Sequence, residues 1–273
     1  MKKFKIGLQL YGVRDKMEKD MDATLKAVKE MGYECVEFAG YFDKTPDEIK
    51  AMLEKYGLEA VSVHRGPQFY LEDNAKTEFD YLKAIGAKYC AIPWYKEDEY
   101  FNNWDATIDT FTTVAKKMKE NGIQLMYHNH DFEFKKIDGE YILDKLYSTI
   151  DKDLLMPEID TCWVHYAGEN PSEYLKKYKG RIDIVHLKDF VCEKLGGGPV
   201  YALIGNDSKE KSQDDNGFKY VPVGSGIQDV KSILDAADES GAKIIIVEQD
   251  MSYDQDSLDA AKQSREYLKT LGL

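Results

Sequence analysis

A single α/β barrel of eight parallel strands, (β/α)8, is the fold this sequence predicts, on three observations. Short apolar runs alternate with segments of helical spacing from one end of the chain to the other. A glycine closes the helical pattern before almost every apolar run. Four of the later runs break abruptly into imidazoles or carboxylates, which is how a barrel enzyme presents functional side chains at its carboxyl-terminal rim. With 273 residues, 43 % of them hydrophobic, the chain matches the ~250 residues one such barrel takes, so residues 1–273 read as one domain.

The apolar runs, taken in order, are Lys5–Leu10, Tyr33–Phe38, Ala60–His64, Tyr89–Pro93, Gln124–Tyr127, Met156–Asp160, Ile182–Leu187 and Ile244–Glu248. Gly32, Gly57, Gly86, Gly122, Gly180 and Gly241 stand before six of them, each at a helix end where a left-handed residue is needed. Before the run ending at Asp160 there is no such glycine, and Asp151-Lys152-Asp153 is expected to turn the chain. Helix starts agree: Thr45-Pro46-Asp47-Glu48 spells a capping box with a first-turn proline, and Asn170-Pro171-Ser172-Glu173 repeats the device. Helical spacing is plain in Leu25, Val28 and Met31, and in Ile108, Phe111, Val114, Ala115 and Met118. A doubly wound open sheet is disfavoured, because the first run leads into Gln9-Leu10-Tyr11-Gly12-Val13-Arg14 and not into a glycine-rich turn. One stretch breaks the rhythm. From about 190 to 222, after the seventh run, the chain is rich in Gly, Asp, Ser and Lys, and this long loop is expected to form a lid or partner-contacting loop over the active face.

Composition excludes several classes. A formal charge of −13 without long basic runs argues against a nucleic-acid partner. No apolar run approaches the ~20 residues of a membrane span, and Gln9, Tyr11 and Arg14 interrupt what would be a leader's apolar core. The widely spaced Cys35, Cys90, Cys162 and Cys192 suit reduced thiols and a cytoplasmic location better than a disulfide framework.

The chemistry is concentrated at strand ends. His128, Asp160, His186 and Glu248 close runs five to eight, and a mixed imidazole and carboxylate set suits one divalent metal: Mn2+, Co2+, Zn2+ or Fe2+, with Mg2+ less comfortable beside two imidazoles. Glu37 and His64 end the second and third runs and face the same rim, as substrate contacts or as groups that orient ligands. Trp94 and Trp163 offer apolar faces to a sugar ring, and His130 and His165 complete the pocket candidates. Gly224-Ser225-Gly226, before a helix expected near Ile227, presents amides that could cradle a phosphate, although no arginine cluster supports a phosphorylated substrate.

Five segments carry a family resemblance: Gln9-Leu10-Tyr11, Tyr127-His128-Asn129-His130-Asp131-Phe132-Glu133, Glu158-Ile159-Asp160, His186-Leu187-Lys188-Asp189 and Val247-Glu248-Gln249-Asp250. Through them the chain resembles the sugar phosphate isomerase/epimerase family of xylose isomerase-like barrels, whose relatives include tagatose and psicose epimerases, hydroxypyruvate isomerase and inosose dehydratase. The resemblance implies one divalent cation held by Glu, Asp, His and Glu from strands five to eight. Asp160, His186 and Glu248 match the last three; at the first, this sequence has His128, so either His128 or Glu133 from the following loop takes that place. It also implies proton abstraction beside a carbonyl, with Glu248 as base and His128 or Glu133 as its partner. Lys188 would hold an oxyanion or help a hydroxyl leave, or would simply pair with Asp189. The expected activity is isomerisation or epimerisation of a small sugar; a lyase or dehydratase acting on a keto-inositol or 3-keto-glycoside is the alternative. A silent sugar-binding barrel and an abasic-site nuclease are weaker readings. The expected partner is a small-molecule sugar, with no nucleic acid and no membrane; self-association stays open.

Overall fold

Helix termination sets the register of the whole chain. Gly32 closes the helix Met21–Met31 at φ 98° and Gly57 closes Pro46–Tyr56 at φ 63°, a region where a side chain would be strained, and a barrel strand follows each. The capping box at Thr45 forms as expected, and Asn170 takes the amides of Ser172 and Glu173. The computed structural model describes residues 4–71, 75–196 and 217–273. Its barrel strands are β1 (Lys5–Gln9), β2 (Cys35–Phe38), β3 (Glu59–His64), β4 (Tyr89–Ile92), β5 (Gln124–His128), β6 (Leu155–Asp160), β7 (Ile184–Leu187) and β8 (Ile244–Val247). They lie side by side in chain order, every pairing is parallel, and β8 pairs with β1 to close the ring. The expected eight-stranded barrel is what forms.

Two small antiparallel pairs decorate the ring: Lys136–Ile137 with Glu140–Tyr141, and Asp189–Val191 with Lys219–Val221. The second pair joins the two ends of the long stretch expected at about 190–222. The centre of that stretch, 197–216, lies outside the described residues, and the lid reading with it. Among the described residues no helix is long and apolar enough to cross a membrane.

Inside the ring, strand alternation sorts side chains into a dry floor and a polar mouth. Cys35, Val61, Ala91, Met126, Ile184, Ile244 and Ile246 pack as a buried cluster separate from the core between strands and helices. Two residues further along the strands stand Glu37, His128, His186 and Glu248. On β3 the pairing with β2 skips Val61, a bulge that leaves Val61 in the floor and turns Ser62 and His64 toward the mouth. Gly7 sits beside Cys35 and Ile246 in the register, and a Cβ there would lie 2.5 Å from Ile246 Cδ1 and 2.7 Å from Cys35 Sγ. Gly7→Val therefore overpacks the floor and is expected to cost about 1–3 kcal/mol in urea denaturation. An unchanged midpoint would show that the floor has slack.

Candidate active site

The mouth is assembled from residue pairs two apart on successive strands: Glu158 and Asp160 on β6, His186 and Lys188 at the end of β7, Glu248 and Asp250 at the end of β8. All six are at most 5 % exposed. His128, Asp160, His186 and Glu248 each offer a donor atom, and these atoms lie within 4.8 Å of one another. His128 Nε2 is 3.3 Å from Asp160 Oδ2 and 3.5 Å from Glu248 Oε2, and His186 Nδ1 is 2.9 Å from Glu248 Oε2. Local hydrogen bonds fix these positions. Asp160 Oδ1 accepts the amides of Cys162 and Trp163, capping the helix that follows β6, and the Asp160 amide donates to Asn129 Oδ1. Thr161 Oγ1 donates to the His186 carbonyl.

Beside this group, and sharing His186 with it, lies a second one. Glu37 accepts from Gln9 Nε2 at 2.7 Å and from Ser62 Oγ, and its Oε1 is 2.9 Å from His64 Nε2 and 2.8 Å from His186 Nε2. His64 Nε2 also meets Glu158 Oε2 at 2.8 Å. His186 thus belongs to both groups, with one ring nitrogen on each. Carboxylates at its far nitrogen orient the ring and raise its basicity as a ligand.

Electrostatics follow from which charges face one another. Burial opposes charge on Lys188, but Asp160, Asp250 and Glu248 at 2.9–3.0 Å outweigh it and hold the ammonium well above its ordinary pKa. Burial likewise opposes ionisation of Glu248 and Asp160. Lys188, with His128 and His186, keeps Glu248 well below the carboxylate range, and Lys188 with His128 brings Asp160 to about 2. Asp250 is pushed up to about 6 by burial, with Glu248 and Asp160 adding to it, against the pull of Lys188. For His64 the carboxylates Glu37 and Glu158 overcome burial and lift it to about 10. His130 goes the other way: burial, His128 and Lys188 depress it well below the usual imidazole range, so it is a neutral base at pH 7.

These residues can hold a divalent cation. Neither buried ring nitrogen of His128 makes a well-formed hydrogen bond, although Nε2 faces the carboxylates of Asp160 and Glu248 at 3.3 and 3.5 Å, which in a native protein calls for an explanation such as an ion. Two imidazoles and two carboxylates at polyhedron-edge spacing match the donor preferences of Zn2+, Mn2+ or Co2+. Lys188 occupies part of that charge field, sharing Asp160 Oδ2 and Glu248 Oε2; Asp250 is the partner left to it when a cation takes the other two.

The structure brings His128, His130, Asp160, His186, Lys188 and Glu248 together, with Glu37 and His64 beside them. It does not bring Glu133 into the group. Its carboxylate accepts from Tyr127 Oη at 2.5 Å and from the His130 amide at 2.8 Å, tying the loop after β5 back onto its own strand. Trp163 is fully buried against His130, Tyr166, Phe218 and Tyr220, with Lys188 over its ring at 5.5 Å, so it backs the site without lining the cavity. His165 faces Gln228 and Phe190 in a separate small hollow. The pairing of Lys188 with Asp189 is not made: strand alternation points Asp189 away, where its carboxylate takes the amides of Phe190, Gly224, Gly226 and Gln228. That contact also overturns the phosphate reading of Gly224-Ser225-Gly226, because the protein's own carboxylate fills the cradle and the helix begins only at Val230. Sequence reasoning gave no role to Glu158, Asp250, Gln9 or Ser62. For Glu158 and Asp250 the two-residue alternation from Asp160 and Glu248 was the available signal.

The mouth opens into a cavity of about 730 Å3 bounded by His64, His128, His130, Lys188, Glu248 and Asp250 on one side and by the loops after β1 to β4 on the other.

A family model described as xylose isomerase-like TIM barrel matches residues 25–271. Several inosose dehydratases are similar in sequence. The one from Clostridium botulinum (strain Alaska E43 / Type E3) is 26 % identical over 89 % of this chain and 88 % of its own length. The one from Geobacillus kaustophilus (strain HTA426) is 29 % identical, but the match spans 62 % of this chain and less than two thirds, 61 %, of that relative. Among solved structures, a sugar phosphate isomerase/epimerase from Parabacteroides distasonis ATCC 8503 superposes with a TM-score of 0.76 at 24 % identity, covering 98 % of each chain. An IOLI protein solved with a bound zinc atom superposes with a TM-score of 0.69 at 16 % identity, covering 98 % of this chain and 97 % of that one.

Glu133 generates a pH prediction. Burial lifts its pKa from 4.5 to about 8 against the hydrogen bonds of Tyr127 and His130, so the folded state holds this proton more tightly than the unfolded chain. Its contribution to stability is present in full below pH 4.5 and is lost as pH rises toward 8. The difference in melting temperature between wild type and Glu133→Gln should shift against wild type across that window; a constant difference would show that Glu133 is ionised throughout.

Proposed function

Because the chain belongs to the xylose isomerase-like TIM barrel family, we propose that it is a divalent-cation-dependent lyase that removes water or another β-leaving group from a small neutral keto-sugar or keto-polyol. The observation that carries this reading is geometric: Lys188, a proton donor, and His130, a proton acceptor, line one cavity beside the metal-capable His128 and Glu248. Relatives named inosose dehydratase, similar over most of their length, point the same way.

His128, Asp160, His186 and Glu248 would hold the cation, with Glu37 orienting His186. When bound, such a cation would supply the positive charge that steadies negative charge developing on a carbonyl oxygen. His130 takes the proton from the carbon beside the carbonyl. The electron pair of that C–H bond becomes the new double bond, the β C–O bond breaks, and Lys188 gives its proton to the departing oxygen, so the pair ends with a charged imidazole and a neutral amine. Proton exchange through solvent restores both. Glu248, the base expected from the sequence, is held by His186 and Lys188 and is better placed as a ligand.

Isomerisation or epimerisation remains the second reading, supported by two acid/base groups, Glu248 and His130, on different strands around one cavity. It is weakened because Glu133, a candidate for the second carboxylate, is turned back onto β5. Solvent deuterium entering recovered ketose with no mass change would favour it, whereas loss of one water or of an aglycone favours elimination.

Metal analysis tests the ligand set. His128→Ala, His186→Ala and Glu248→Ala are each expected to lower bound Zn2+ or Mn2+ at least roughly tenfold, and Glu133→Gln to leave it in place. Full occupancy in His128→Ala together with loss in Glu133→Gln would reverse the assignment.

A further inference from the structure

We infer that the cavity is built for a two-ring substrate, a neutral glycoside whose second ring rests against Phe69 and Trp94. This deepens the reading above and rests on it for the identity of the reacting ring. Size is the first argument. A cavity of about 730 Å3 lies well up the range of about 300–1,000 Å3 typical of pockets for drug-sized ligands, whereas a single sugar ring has roughly a dozen non-hydrogen atoms.

The distribution of chemistry is the second. The acid, base and ligand side chains that reach the cavity come chiefly from β5, β7 and β8: His128, His130, Lys188, Glu248 and Asp250. The opposite wall comes from the segments after β3 and β4, Arg65–Phe69 and Pro93–Glu99, and its character is different. Phe69 and Trp94 are half-buried aromatics that both line the space. The Arg65 guanidinium lies 3.6 Å from the Phe69 ring centroid and is bound to Glu78 at 2.9 Å, so it braces the ring. A reacting ring at the mouth leaves this wall to whatever is attached to it.

Charge is the third. Arg65 is committed to Glu78, His64 to Glu37 and Glu158, and Lys188 to three carboxylates, and the remaining cation of the lining among the described residues, Lys96, is exposed. A phosphate would find no buried cation free of a carboxylate to receive it, whereas a flat ring, either an aromatic aglycone or the apolar face of a second pyranose, meets the side chains of Phe69 and Trp94.

The test needs no turnover, so it can fail independently of the proposed reaction. Binding of methyl β-D-glucopyranoside, phenyl β-D-glucopyranoside and cellobiose to the zinc-loaded protein is measured by isothermal titration calorimetry. At least one of the two-ring ligands should bind tenfold or more tightly than the methyl glucoside, and which one does so separates an aromatic aglycone from a second sugar. Trp94→Ala and Phe69→Ala should each bring that ratio to within about threefold of one. Equal affinities for all three ligands, or a preference that neither variant reduces, would overturn the second-ring subsite while leaving the elimination chemistry standing. Trp94→Leu, which keeps an apolar side chain, guards against misfolding: it should retain bound zinc and lose the preference for a ring.

Discussion

Five carboxylates, those of Glu37, Glu158, Asp160, Glu248 and Asp250, are buried at one end of a barrel, and their neutralisation is the constraint on which the rest of the structure depends. A carboxylate removed from water without a partner costs several kcal/mol, so this end of the molecule can exist only with compensating groups built in. Lys188 compensates three of them directly. His64 and His186 compensate the remaining pair, Glu37 and Glu158, and His186 reaches back to Glu248 through its other nitrogen. The polar mouth is therefore one electrostatic unit. The apolar floor beneath it, from Cys35 to Ile246, provides the rigid base on which such a unit can be held.

The fold was legible because its signals are local. Glycine after a helix, a capping box at Thr45 and short apolar runs each act within a few residues, and they recur around the ring. The convergence of His128, Asp160, His186 and Glu248 was legible for a related reason: parallel strands that alternate with helices must all end at the same face. What the sequence left open depended on side-chain direction. His128 and Glu133 are five positions apart in a segment rich in polar groups, and only the 3-10 turn Phe132–Phe134 decides that Glu133 folds back to the His130 amide.

Asp189 shows the same limit from the other side. In sequence it adjoins Lys188, and an ion pair between neighbours is the economical guess. Alternation along an extended chain separates them, sending one to the mouth and the other to the loop at 224–228. There the carboxylate does what a bound anion would do at such amides. Gly226 is required for it, since a Cβ would lie within 2.1 Å of Asp189 Oδ1. A glycine-rich stretch with free-looking amides thus reads as an anion site in either case, and the anion turns out to be internal.

The histidine at the end of β5 has an electrostatic consequence for the proposed chemistry. A ligand set of Glu, Asp, His and Glu carries three negative charges, so a divalent cation leaves it negative. The set in this chain, with two carboxylates and two neutral imidazoles, is brought to neutrality by the same cation. Lys188 beside it is balanced by Asp250. Negative charge developing on a substrate oxygen would then face no surplus of fixed negative charge from the ligand set or from the Lys188–Asp250 pair, and in a site shielded from water such differences are large. The exchange that removes a carboxylate from the acid/base inventory also makes the site a better host for an enolate. That combination suits a reaction in which one carbon loses its proton for good and a neighbouring oxygen departs, more than one in which the same proton must be handed back from the opposite face.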